Sequence, residues 1–195
     1  MTTAGTVRIR GYTGAGHTSN VYDSGTFTPF PAGLTLEDTA GLNVPIVVFP
    51  AVTARYWWIE LTDTSNPANV VDVARVIIAA GYTPAINMTY GSGIALETRT
   101  ERAETDGGAT IFDVRPVRRI LTGVLEHMTD AEALHSYFRM GVHLGTSGQL
   151  FVAWDPADTT YRYLRSFLCT LQKPNALTQP YLARHSGAFA CVEEL

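Results

Sequence analysis

Charge is scarce in this sequence: only 16% of its 195 residues are charged, against roughly 25% in ordinary globular chains. Less surface than usual is solvated by charge, which points to a surface partly covered by other subunits. Cysteine is scarcer still. Cys169 and Cys191 are the only two, far apart and without CxxC or Cys/His spacing. That excludes a disulfide framework and a zinc site, and leaves two quiet strand cysteines in a reducing compartment. A basic field is missing as well. The net charge is −4 and the pI about 5.7, with arginines scattered along the chain, which argues against nucleic acid as a partner. No window approaches the ~18 apolar residues of a membrane span, and "MTTAGTVRIRG" has no apolar signal-peptide core. The expectation is a soluble protein made in the cytoplasm, with no membrane partner.

Catalytic patterns are equally thin. The five histidines come without HExxH, HxH or a carboxylate at ligand spacing. His127 and His135 bracket the start of a predicted helix, His143 lies near its end, and His17 and His185 fall in loop-like sequence. His135 and His143 stand two helical turns apart, too far for joint chelation. "GTSGQ" and "GSGIA" lack the GxSxG nucleophile pattern and read as turns. "DPADTT" misses the EF-hand spacing and its glycine. "GAG" and "GSG" are not followed by helices that would hold a phosphate. No enzyme activity, cofactor or metal is expected.

What the sequence does have is short alternating runs. "TVRIR", "IVVFP", "VTARYWWIEL" and "VVDVARVII" fit strands, separated by turns such as "GYTGAGHTSN", "FPAG" and "TSNPAN". Residues 1–80 are therefore read as part of a β-sandwich. From "GYTPAINMTYGSGIAL" the apolar pattern thins, and "ETRTERAETDGG" alternates charge without a core face. Residues 81–110 are read as an extended arm, hairpin or linker.

Residues 111–195 read as a second compact unit. "IFDVRPVRRILTGVLEHM" alternates like a strand. "TDAEALHSYFRMGVHLG" predicts a helix over residues 129–144, with Thr129 as N-cap, Glu132 completing a capping box and Gly145 placed for a C-terminal turn. Its expected buried stripe is Leu134, Tyr137, Phe138, Gly141 and Val142. "GQLFVAWDP", "TYRYLRSFLCTLQKP" and "GAFACVEEL" predict three strands. The fold class is mainly β (α+β), with a mostly antiparallel sheet and one packed helix.

"ARYWWIEL" sets two tryptophans side by side on a strand, so Trp57 and Trp58 leave on opposite faces. Together with "DTSNP" and "VARVIIAAGYTPAINMTYG", this run resembles tail proteins of long-tailed bacteriophages and prophages, which carry an "RYWRI"-like strand, then "SNP", then "Y.P..N..YG". The resemblance covers most of the chain from about Val7 to Cys191. It implies a partial jelly roll of the discoidin, galactose-binding-like kind over residues 1–80. It also implies a tail-tube-related sheet with one helix over residues 111–195. Two departures stand out. The chain starts where such a jelly roll would already be half built, and Trp58 stands where the pattern carries arginine.

The resemblance implies a non-enzymatic structural subunit of a tail tip or baseplate, a distal tail protein resident in the virion. It would assemble as a homo-oligomeric ring, sixfold in preference to threefold, with tube, hub and tape-measure proteins as neighbours. The alternative is a carbohydrate-binding module, in which Tyr56, Trp57 and Trp58 would stack on sugars. Interface candidates are Tyr56 and Trp58 on the aromatic strand, Arg8 and Arg10 as guards of an unpaired first-strand edge, and Arg99, Glu101, Arg102 and Glu104 in the arm.

Overall fold

A computed structural model describes residues 1–30, 45–73, 75–158, 160–173 and 176–194. Among the described residues the chain is mainly β, with antiparallel sheets and one helical segment. It divides into two compact units. Met1–Gly81 and Ala153–Ser166 form the first, and Tyr82–Val152 and Phe167–Leu195 the second. The chain thus returns to its first unit after leaving it, where the sequence predicted consecutive blocks.

In the first unit β1 (Thr6–Tyr12), β2 (Asn20–Phe27) and β3 (Tyr56–Thr62) form a three-stranded antiparallel sheet in the order β2-β1-β3. The first strand is therefore the centre of its sheet, hydrogen-bonded on both sides, and Arg8 and Arg10 do not guard an open edge. Register places Gly11 opposite both Tyr22 and Trp57. A Cβ on Gly11 would stand 3.2 Å from the Trp57 ring and 3.1 Å from Ala54, so the glycine makes room for an aromatic layer. Tyr22 stacks on Phe49 at 4.3 Å between ring centroids, and Phe49 meets Trp57 at 5.4 Å. Val7 and Ile9 continue this apolar face towards Ile59 and Leu61. "IVVFP" and "VVDVARVII" are not strands among the described residues. The latter has the apolar alternation, but its described residues, 70–73 and 75–78, lie in no ladder. It leaves a turn closed by the Asn69 amide on the Asn66 carbonyl, with Asn69 at φ 52°.

The second unit is built on β11 (Arg184–Glu193), which pairs along one side with β7 (Arg118–Met128) and along the other with β9 (Ser166–Leu171) and β10 (Ala176–Tyr181). β4 (Gly93–Glu97) adds to β7, and β8 (Gln149–Ala153) to β9. Residues 82–97 are consequently part of this unit and not a linker: β4 is in the sheet, and Tyr82 and Met88 pack on its core. The true protrusion is the separate hairpin of β5 (Glu101–Glu104) and β6 (Thr110–Asp113). β10 was not legible because Pro180 sits in it, a placement tolerated beside an irregular register.

The helical segment lies over Leu125, Met128 and Phe189. Thr129 caps it, its Oγ1 accepting the Glu132 amide at 3.3 Å. Glu132 does not return the bond; its Oε1 accepts instead from the Ala85 amide at 2.8 Å and the Tyr82 hydroxyl at 3.1 Å. Burial and the Glu132 carboxylate both push the Tyr82 hydroxyl well above its ordinary range. The segment is π-helical over Ala131–Phe138 and α-helical over Arg139–Leu144. The wider winding changes the buried face. Ala133 and Tyr137 are buried, while Leu134, Phe138 and Val142, expected in the core at α-helical spacing, are 53%, 46% and 67% exposed.

Tyr137 is the keystone of this contact. Its ring lies so close to β11 that a Cβ on Gly187 would come within 2.5 Å of it, and its hydroxyl donates to the Ala188 carbonyl at 3.0 Å. Gly123 likewise leaves room for Phe189 and Met88. Truncating Tyr137 to Ala should cost about 3–5 kcal/mol, the range for a buried aromatic, and Phe138→Ala about 1 kcal/mol or less. Urea denaturation of both variants checks the pair; equal losses would contradict the observed face. Gly187→Val should prevent stable folding of the second unit.

Candidate functional site: a paired-charge aromatic face and an exposed hairpin

On the face of the first sheet opposite Trp57 stand Tyr12, Arg10 and Arg8 of β1, with Tyr56, Trp58 and Glu60 of β3 across from them. Asp23 of β2 faces Arg10. The charges match in diagonal pairs. Arg8 grips Asp23 through Nε at 2.9 Å and a terminal nitrogen at 2.5 Å, and Arg10 pairs with Glu60. Such fork geometry suits guanidinium and carboxylate planes. Trp58 keeps 42% and Tyr56 37% of its surface exposed. The Arg55 guanidinium lies 5.5 Å from the Tyr56 ring.

Residues 13–19 form a loop beside this face, joined by the Thr13 amide to the Ser19 carbonyl at 3.3 Å. Three of its residues have positive φ: Gly16 at 82°, His17 at 61° and Ser19 at 64°. Two of them are not glycine, an uncommon backbone state. The loop sets the His17 ring edge-on to Trp58, with centroids 4.0 Å apart, and 5.2 Å from Tyr12. Sequence reasoning missed His17 and Asp23, since a strained loop and strand register, neither visible as a motif, bring them to the face; Glu60 shares it with Tyr56 and Trp58 by strand alternation alone.

In the second unit, Arg99 is exposed just ahead of the hairpin, and Glu101, Arg102 and Glu104 are exposed in β5. All eight hairpin strand residues are exposed, including Ile111 at 57% and Phe112 at 58%. Arg102 faces Phe112 and Ala103 faces Ile111. Arg115 ties the base, reaching Glu101 at 3.1 Å and Asp113 at 2.8 Å. The sequence placed β5 in the arm but assigned Ile111 and Phe112 to the strand that opens the second compact unit; they belong instead to β6, the partner of β5 in the hairpin.

His185, read as loop, begins β11, is buried and meets Asp130 at 2.8 Å. His127 stacks on Tyr181. Cys169 and Cys191 are free and buried on adjacent strands. The neighbouring Cys191 thiol, with burial, pushes the Cys169 thiol up, and Cys169 Sγ donates to the Leu150 carbonyl at 3.6 Å. Among the described residues no group of three or more metal-ligating side chains gathers, and no helix is long and apolar enough to cross a membrane. No family model, curated protein or solved structure matches this chain.

Asp23 is held at about 2, below its ordinary 3.8, first by the Arg8 hydrogen bond and then by the Gly25 amide. A depressed carboxylate contributes stability that is complete above its unfolded value and is lost as pH falls through the folded one. Melting curves should therefore show the first unit losing stability between about pH 4 and pH 2. In Asp23→Asn that part of the acid loss should be missing; an unchanged acid profile would contradict the pairing.

Proposed function

We propose that this chain is a non-enzymatic structural subunit of a bacteriophage tail tip or baseplate, working through contacts with further copies of itself and with other tail proteins. The observation that carries this reading is the β5–β6 hairpin. Two strands without a core are marginal in water, and this pair shows Ile111 and Phe112 to solvent on its two faces. A neighbouring surface that covers them would stabilise both. The outward stripe of Leu134, Phe138 and Val142 supplies a second uncovered apolar surface on the same unit. The low charge content and the sequence resemblance support the same role, and the resemblance favours a sixfold ring in the virion, bounded by tube, hub and tape-measure proteins.

The structure alters which residues carry the proposed interface. Arg8 and Arg10 are engaged with Asp23 and Glu60 inside their own sheet, so the weight moves to the hairpin and the helix stripe. Size-exclusion chromatography with light scattering is the test. The wild type should elute as one discrete multiple of the monomer mass, and the double variant Ile111→Ser, Phe112→Ser should elute as a folded monomer by circular dichroism. A wild type that stays monomeric as concentration rises, or a variant that assembles unchanged, would overturn the reading.

A further inference from the structure

We infer that residues 70–78 are an exchanged strand, which in the assembly adds antiparallel to the open edge of β3 in the next copy of this chain. The inference rests on the proposed assembly and names a second contact within it. The run "VVDVARVII" has the alternation and the β-branched content of a strand, yet its described residues lie in no ladder. Val70, Val73, Val76, Ile77 and Ile78 are each between 45% and 60% exposed. Three of these are consecutive, so an extended chain shows apolar side chains on both of its faces. A groove or a bilayer surface covers one face, and lipid leaves backbone N–H and C=O groups without partners. A sheet edge meets both needs, because it pairs the backbone and continues the layers above and below it.

Both halves of such a joint are present in this chain. β3 pairs with β1 along one side, and among the described residues no strand lies along the other. β3 is also the regular edge of its sheet, in register with β1 throughout, whereas the β1–β2 ladder slips twice. An antiparallel register that sets Arg75 opposite Glu60 sets Val76 opposite Ile59 and Ile78 opposite Trp57 on the apolar face, and Ile77 opposite Trp58 on the other. Opposite charges meet, and the half-exposed Trp58 ring gains a cover. Residues 63–69 join the two segments without bringing them together. Asn66 Nδ2 donates to the Val70 carbonyl at 2.6 Å, the Asn69 amide donates to the Asn66 carbonyl at 3.1 Å, and Asn69 stands at φ 52°. A short strained connection between two strands that do not close on each other favours exchange between copies. Passed from each copy to the next, the strand makes a heterologous contact, the kind that closes rings. One added edge strand binds weakly alone, and copies already held by their β5–β6 hairpins supply the effective concentration it needs.

The test uses two full-length variants with one added cysteine each, Thr62→Cys and Val73→Cys, whose positions stand opposite each other in this register. They are mixed while dilute, concentrated to assembly and exposed to oxidised glutathione, so that a disulfide between the two variants joins different chains by construction. The native Cys169 and Cys191 are buried and should not react. A cross-linked species of both variants is expected on a non-reducing gel, and neither variant alone should give one. Val76→Pro, which removes a ladder donor, should keep the wild-type circular dichroism and raise the concentration of half-assembly at least ~10-fold, a tenfold shift corresponding to about 1.4 kcal/mol. An assembled mixture without the cross-link, or a Val76→Pro variant that assembles like the wild type, would overturn the inference and leave the assembly reading standing. A double variant, Thr62→Cys with Val73→Cys, that closes its disulfide within one chain in a dilute monomeric sample would put the strand on its own β3 and overturn the inference too. A wild type that never assembles would overturn both.

Discussion

The contact between Tyr137 and the bare backbone of Gly187 governs the second unit, because β11 is the strand on which most of its sheet is assembled. β7, β9 and β10 all pair with β11, and the helical segment packs on the sheet through this buried ring together with Ala133. A side chain at position 187 would lift the ring, take the hydroxyl from the Ala188 carbonyl and open the cluster around Leu125 and Met128. Glu132 fixes the other side of the segment by holding the Tyr82 hydroxyl and the Ala85 amide. Together these contacts set the rotation that buries Ala133 and Tyr137 and turns Leu134, Phe138 and Val142 outwards.

That rotation links fold to proposed role. The side chains that would have enlarged the core at α-helical spacing face solvent instead, alongside a hairpin that has no core at all. Each is costly for an isolated molecule and suited to one whose surface is covered on assembly. The first unit is organised differently. Its apolar layer of Tyr22, Phe49 and Trp57 is gathered on one face around Gly11, and its opposite face carries two arginine–carboxylate pairs, with Arg55 over the Tyr56 ring.

Period-two alternation made β1, β3, β7, β9 and β11 readable, and it put Trp57 and Trp58 on opposite faces without saying which of them faces inward. Thr129 marked the start of the helical segment. Alternation says nothing about partners, however. Residues 70–78 have a strand's pattern, yet their described members, 70–73 and 75–78, lie in no ladder, while Arg8 and Arg10 sit on the central strand and not on an edge. The π winding was hidden because both helical forms use the same residue types, so the predicted stripe was displaced. His17 and Asp23 reach the aromatic face through loop conformation and register, which are consequences of the folded sheet.

Hydrogen–deuterium exchange at two protein concentrations tests the assembly account most directly. The amides of Glu101–Glu104 and Thr110–Asp113 should exchange rapidly in a dilute sample that scatters light as a monomer. They should become protected at a concentration where the mass is a discrete multiple, while the β7–β11 amides stay protected in both. Equal exchange of the hairpin in monomer and assembly would contradict the claim that this hairpin is where the subunits meet.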